Sequence, residues 1–205
     1  VPEPLSPEAF RLRTGVSRET LARLQIYAEL LTRWQRRINL VGNSTLPDLW
    51  RRHMLDSAQL LPLIPKEAKV LVDLGSGAGF PGLVLAILGV PEVHLIESDA
   101  RKAAFLREVS RETSAGATVH ATRIEAASAP RADVVTARAL APLRTLFEFA
   151  ARFADERTVL LFPKGQDVGR ELTGTPRETK MQIDAVPSIS DDSGTILRIT
   201  GLMRV

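Results

Sequence analysis

Val70-Leu71-Val72-Asp73-Leu74 is an apolar strand pattern broken by one acid, and it runs directly into Gly75-Ser76-Gly77-Ala78-Gly79-Phe80-Pro81-Gly82. The apolar stretch Leu83 to Leu88 behind it has helical character. A strand, a glycine-rich turn and a helix in that order form the nucleoside-cofactor cradle of doubly wound α/β domains. Dinucleotide folds space their glycines G-x-G-x-x-G, so that a pyrophosphate meets bare backbone at a helix N-terminus. Here the spacing is Gly75-x-Gly77-x-Gly79, with Asp73 two positions ahead of the first glycine. The next apolar run, Val93-His94-Leu95-Ile96, ends in Glu97, 22 residues after Gly75. That is close to the ~20-residue offset at which an acid meets the ribose hydroxyls in such folds. A carboxylate offers two acceptors to two vicinal hydroxyl donors. Asp99 competes for this role, but its place before Ala100–Thr113 fits a helix N-cap.

The D-x-G-x-G-x-G form resembles the first motif of S-adenosylmethionine (SAM)-dependent methyltransferases, whose loop wraps an amino-acid carboxylate and a ribose instead of a diphosphate. That likeness makes Asp73, Gly75, Ser76, Gly77 and Gly79 the expected cofactor-binding residues, with Glu97 on the ribose. The plainer alternative is a glycine turn that holds no ligand.

Composition narrows the chemistry. A chain of 205 residues can build one large domain with an appendage. It has no cysteine, which removes disulfides, thiolate metal sites and methyl transfer through a cysteine adduct. No His or carboxylate cluster has metal-ligand spacing, so no metal is expected. No apolar run approaches the ~20 residues of a membrane span, and Val1-Pro2-Glu3-Pro4 does not read as a signal peptide, so a cytoplasmic location is expected. Charge is uneven. Residues 1–65 carry nine arginines against six acids, whereas 66–205 balance at eighteen each; within 11–52 the count is nine to three. The basic excess therefore precedes the glycine loop, where a polyanion could be held, although a solvated helical face would look the same.

Residues 1–16 read as irregular. A helix is predicted from Ser17 as N-cap to Gly42-Asn43, with Leu24, Tyr27, Leu31, Trp34, Ile38 and Val41 on one apolar stripe and Arg23, Arg33, Arg36 and Arg37 off it. A second is predicted over Leu46–Leu61. Strands are predicted at 69–74, 93–97, 118–122, 133–138 and 158–162, alternating with helices at 81–88, 100–113, 124–128, 142–154 and 167–172. Lys180–Val186 and Thr195–Thr200 flank a turn at Asp191–Gly194 and form a terminal antiparallel pair. The expected fold is α/β: a Rossmann-like, doubly wound, mostly parallel sheet with a C-terminal antiparallel strand, the class I SAM-dependent methyltransferase architecture. The expected domains are a basic helical cap over 1–65, packed on a SAM-binding domain over 66–205.

Several segments beyond the loop resemble one family, the bacterial 16S ribosomal RNA guanine-N7 methyltransferases of the RsmG (GidB) type. They are Trp34-Gln35-Arg36-Arg37-Ile38-Asn39-Leu40, Arg52-His53-Met54-Leu55-Asp56-Ser57, the loop through Gly82, Arg101-Lys102-Ala103-Ala104-Phe105-Leu106, Ala137-Arg138-Ala139 and Pro163-Lys164-Gly165. They keep the family's order from about residue 30 to 166. The likeness implies SAM contacts at Gly75, Phe80, the pair Ile124-Glu125 and Arg138, with 16S ribosomal RNA or the small ribosomal subunit as partner and the protein a monomer. Phe80 stands where some members carry leucine. Guanine N7 has an in-plane lone pair and no proton to remove, so no general base is expected, and alignment can do most of the catalysis. Arg138 and Lys164 are expected in positioning roles. Thr136-Ala137-Arg138-Ala139-Leu140 lacks the D/N-P-P-Y/F motif of adenine-N6 enzymes. Arg138 could bind the SAM carboxylate or a phosphate, or simply pair with an acid. Arg33, Arg36, Arg37, Arg51, Arg52, His53, Arg123 and Lys164 are the candidate RNA contacts, with His53 alternatively pairing with Asp56 one turn away. Competing readings are another class I methyltransferase acting on protein or a small molecule, an NAD-dependent oxidoreductase with the wrong glycine spacing, and a non-catalytic RNA-binding protein.

Overall fold

Successive residues of a strand point to opposite faces, so near-continuous apolar runs such as 70–74 and 159–162 put apolar side chains on both faces of a sheet, and layers must cover both. In the computed structural model, which describes residues 3–165 and 181–202, that is the arrangement found. The strands are β1 (Val70–Leu74), β2 (Glu92–Ile96), β3 (Thr118–His120), β4 (Val134–Ala137), β5 (Val159–Lys164), β6 (Gln182–Pro187) and β7 (Thr195–Thr200). They form one sheet in the order β3-β2-β1-β4-β5-β7-β6. β1 to β5 pair in parallel, and β7 runs antiparallel between β5 and β6. This is the class I methyltransferase sheet expected from the sequence. The chain lays β2 and β3 on one side of β1 and β4 on the other, and ligands enter such sheets at that reversal, beyond the strand C-termini.

One face of the sheet, through Leu71, Leu95, Val134 and Leu161, shares a core with Phe10, Tyr27, Leu31, Leu55 and Phe105. The other, through Val72, Ile96, Val135 and Leu160, packs on Leu143, Leu146, Phe153 and Leu202. Consecutive strand residues such as Leu71 and Val72 thus fall into different cores, as the two-residue period requires. The helices are α1 (Pro7–Thr14), α2 (Arg18–Gln35), α3 (Asp56–Ala58), α4 (Gly82–Ile87), α5 (Ala100–Glu112) and α6 (Leu143–Ala150). Gly82 opens α4 hard against β1: a Cβ there would lie 2.4 Å from Leu95 and 2.8 Å from the Asp73 Cβ, so only glycine lets the helix start this close.

The N-terminal third departs from expectation. Residues 7–14 are helical, not irregular, because Ser6 caps the Ala9 amide, Pro7 occupies the first turn, and Gly15 closes the helix at φ +71°. α2 ends at Gln35; its side chain turns back to accept from the Leu40 and Val41 amides, and Ile38 and Val41 follow outside the helix. Arg23 does not face solvent or a partner. It donates to the carbonyls of Thr113 and Ser114 just beyond α5, where a helix leaves its acceptors unpaired. The predicted helix over 46–61 is instead a 3-10 segment (Asn43–Asp48), a π-helical stretch (Trp50–Leu55), the short α3 and a 3-10 turn (Leu61–Leu63). Pro47 lacks the amide a continuous helix needs. Residues 124–126 form a 3-10 turn. The predicted helix at 167–172 and Lys180 lie outside the described residues.

Candidate functional site

A cavity of about 1100 Å³ opens at the C-terminal ends of β1, β2, β4 and β5. β1 delivers Gly75, Ser76, Gly77, Ala78 and Phe80 to its wall; β2 delivers Glu97 and Ser98; Arg123, Ile124 and Glu125 follow β3; Arg138 follows β4; Lys164 ends β5. Arg52, His53 and Asp56 close it from the N-terminal segment, and Ser188, Ser190 and Asp191 from the turn between β6 and β7.

The loop and Glu97 form one unit. The Glu97 carboxylate accepts from the Gly77 amide at 2.8 Å and the Asp99 amide at 2.7 Å, one oxygen each. Asp99 itself caps α5, accepting from the Arg101 and Lys102 amides. Each Glu97 oxygen retains a lone pair beyond its backbone bond. Gly77 sits at φ +57°, and a Cβ there would meet only the Gly75 carbonyl, at 3.8 Å. The cradle is therefore open where a ligand would come against backbone. An acceptor pair beside open backbone is what the two hydroxyl donors of a nucleoside ribose require, and the residues fit a SAM-type cofactor.

Asp73 is placed differently from expectation. It is fully buried behind the loop, off the cavity wall; Thr136 donates to its Oδ1 at 2.6 Å, and Oδ2 has no hydrogen-bond partner among the described residues. Burial pushes its carboxyl up to about 6, opposed by the Thr136 hydrogen bond. It supports the loop from beneath and does not touch the cavity. Gly79 is likewise off the wall: its absent side chain makes room for Tyr27, whose hydroxyl would lie 2.7 Å from a Cβ. The Tyr27 hydroxyl donates to the Ala78 carbonyl, and its ring stacks on Phe80 at 5.1 Å. Sequence reasoning placed Tyr27 only on an apolar stripe. A tyrosine among leucines was the one available signal, since a buried phenol needs a partner.

The Phe80 ring is covered by His53 (4.9 Å, stacked), Tyr27 and the Arg138 guanidinium, whose carbon lies 5.1 Å from its centroid. Arg138 donates from Nη1 to Asp56 Oδ2 (3.1 Å) and the Arg52 carbonyl (3.2 Å), and from Nη2 to His53 Nδ1 (2.9 Å). His53 and Asp56 do not pair with each other as one alternative had it; they converge on Arg138. His53, a candidate RNA contact, is buried, and its Nε2 meets Thr45 Oγ1 at 2.7 Å, so both ring nitrogens are engaged within the protein. Burial, then the charges of Arg138 and Arg52, push its pKa down to about 3.

The arginines divide. Arg33, Arg36 and Arg37 are exposed at the end of α2. Arg51 is tied inward, to Asp48 (2.8 Å) and the Glu3 carbonyl (2.6 Å), so its side chain fastens the N-terminal segment and is not displayed to a partner. Arg52 pairs with Asp191 at 2.6 Å; hydrogen bonds from Ser193 and Arg52 hold that acid down at about 2. Arg123 and Glu125 are exposed at the rim and Ile124 is buried. Lys164 donates to the Ala141 carbonyl at 3.2 Å. Among the described residues, no group of three or more His, Asp or Glu side chains is arranged to hold a metal. Nor is any helix long and apolar enough to cross a membrane.

Known proteins share this fold. The chain is 18% identical, with a TM-score of 0.56, to a ribosomal protein L11 methylase from Lactobacillus delbrueckii subsp. bulgaricus, over 78% of this chain and 80% of that one. It is 13% identical, also with a TM-score of 0.56, to an O-methyltransferase from Bacillus cereus in complex with SAH, over 90% and 91%. These likenesses establish the fold. In sequence it is 60% identical over 191 residues to the ribosomal RNA small subunit methyltransferase G of Rhodospirillum centenum, covering 93% of this chain and 88% of the relative. It is 54% identical over 200 residues to that of Paramagnetospirillum magneticum, covering 98% of both. The GidB family model, described as rRNA small subunit methyltransferase G, matches residues 20–195, and the chain accordingly belongs to that family.

Proposed function

We propose that this protein transfers the methyl group of SAM to N7 of a guanine in 16S ribosomal RNA, presented as RNA or as the small ribosomal subunit. The observation that carries the reading is the unit formed by the Gly77 amide and Glu97, in a cavity ringed by Arg52, Arg123, Arg138 and Lys164. Glu97 would hold the ribose hydroxyls, Gly75 to Gly77 the backbone side of the cofactor, and Ile124 with Glu125 the adenine end. Bound there, SAM supplies an electrophilic methyl group on a sulfonium.

The protein's own task is orientation and charge. N7 needs no base, and both ring nitrogens of His53 on the cavity wall are taken up by hydrogen bonds. Holding N7 in line with the methyl group is the entropic part of catalysis. Lys164, at the end of β5, is assigned to a substrate phosphate or base edge. Arg33, Arg36, Arg37 and Arg123 are assigned to RNA phosphates. In this reading residues 1–65 act as an RNA-facing cap on a cofactor domain over 66–205, and the protein works as a monomer in the cytoplasm.

The test is methyl transfer from radiolabelled SAM to purified small subunits and to naked 16S RNA taken from a strain lacking the enzyme, followed by mass mapping of the product. A label confined to one guanine is expected, with N7-specific chemical cleavage cutting the chain at that guanine in the methylated RNA and not in the unmodified RNA. Label in ribosomal protein instead of RNA would overturn the reading.

A further inference from the structure

Arg138 lines the cavity, and Asp56 sits directly on it. Their side chains are 19% and 18% exposed, with 3.1 Å between Nη1 and Oδ2. The other Asp56 oxygen accepts from Ser190 Oγ at 2.7 Å and from Gln59 Nε2 at 3.0 Å. Gln59 in turn accepts from the Ile189 amide at 2.7 Å. One carboxylate, on α3, thus joins the guanidinium after β4 to the turn between β6 and β7. Asp56 is held on both oxygens, by Arg138 on one and by Ser190 and Gln59 on the other. These contacts set where Arg138 lies, over Phe80, and how much charge it shows.

That charge matters for the proposed reaction, on which this inference rests. The electrophile is a cation, and a neutral base becomes one as N7 is methylated. An uncompensated guanidinium in a partly desolvated cavity would oppose both. We infer that Asp56 is a positioning residue for methyl transfer: it fixes the Arg138 guanidinium over Phe80 and cancels its charge, so that the cavity accepts a sulfonium and a base that turns cationic. Ser190 and Gln59 hold the carboxylate in register for that task.

The readout is the ratio of dissociation constants for SAM and S-adenosylhomocysteine, which share the nucleoside and amino-acid groups and differ by the sulfonium charge. Contacts common to both cancel. Calorimetric titration of Asp56→Asn should raise the ratio of the SAM to the S-adenosylhomocysteine dissociation constant about fivefold, the scale of one unit charge acting through a partly solvated cavity. Arg138→Gln should move the ratio the other way, because it leaves Asp56 uncompensated; this variant decides the matter even if Asp56→Asn does not fold. The double variant, with both charges gone, should return to within about twofold of wild type. Ser190→Ala keeps both charges, so its ratio should stay at the wild-type value while its single-turnover methylation of 16S RNA slows a few-fold. Unchanged ratios in Asp56→Asn and Arg138→Gln, with wild type binding both compounds, would overturn the inference and leave the proposed function standing. Wild type binding neither compound would overturn both.

Discussion

The Arg138 guanidinium donates to His53 Nδ1 at 2.9 Å, across 85 residues of sequence. A guanidinium cannot accept, so Nδ1 is the acceptor and the imidazole proton lies on Nε2, directed at Thr45 Oγ1. Thr45 passes its own proton to the Gly42 carbonyl at 2.7 Å. The chain of donors has a single direction only while His53 is neutral.

Protonation of His53 should therefore cost stability. Its folded pKa of about 3 lies below the ordinary histidine value of 6.5, so the unfolded chain binds the proton first as pH falls. The stabilisation is complete above pH 6.5 and declines toward pH 3, by up to about 1.4 kcal/mol per pH unit. Thermal unfolding across pH 7 to 4 should show wild type losing stability relative to His53→Gln. Parallel curves would place the low pKa elsewhere.

The glycine loop is expected to tolerate a side chain structurally but not functionally. Gly77→Val adds atoms to open cavity, so the cost to the fold is the left-handed backbone, about 1–2 kcal/mol, or a few degrees of melting temperature. SAM binding by calorimetry should be lost. A variant that binds SAM like wild type would show that the cofactor does not lie against this backbone.

Glu97 and Asp99 should separate cleanly. Glu97→Ala removes the carboxylate assigned to the ribose and should weaken SAM by about 1.5–3 kcal/mol. Asp99→Ala removes the α5 cap, costing about 1 kcal/mol of stability with SAM affinity retained. Titrations and melting curves on both variants check this, and the reverse pattern would exchange their roles.

The salt dependence of RNA binding should come from the displayed arginines. Gln at Arg33, Arg36 and Arg37 should each flatten the log–log slope by about 0.7–0.9. Arg51→Gln should leave the slope alone and lower the melting temperature, since Arg51 is spent on Asp48 and Glu3. A salt series with the triple variant and with Arg51→Gln measures both; equal slopes for wild type and triple variant would place the RNA elsewhere.

Local patterns determined much of this protein. The apolar runs of β1 and β2, the caps at Ser17 and Asp99, and the spacing from Gly75 to Glu97 are set by hydrogen bonds and burial within a few tens of residues. A chain displays such patterns whatever its final topology. The N-terminal third was less legible: Pro47 and the π-helical stretch turn a plausible helical stripe into a broken path that its packing against the sheet must complete. Tertiary structure alone decided that Asp73 lies behind the loop, that Arg51 is tied inward, and that Arg138 meets Asp56 and His53. Arg138 and Asp56 are 82 residues apart, Asp56 and Ser190 134. No local period relates such residues; the sheet order places β4 beside β1 and carries the β6–β7 turn back to the same rim. Charge shows the same division: composition counts arginines, but only the fold brings each one to a carboxylate, a carbonyl or open water.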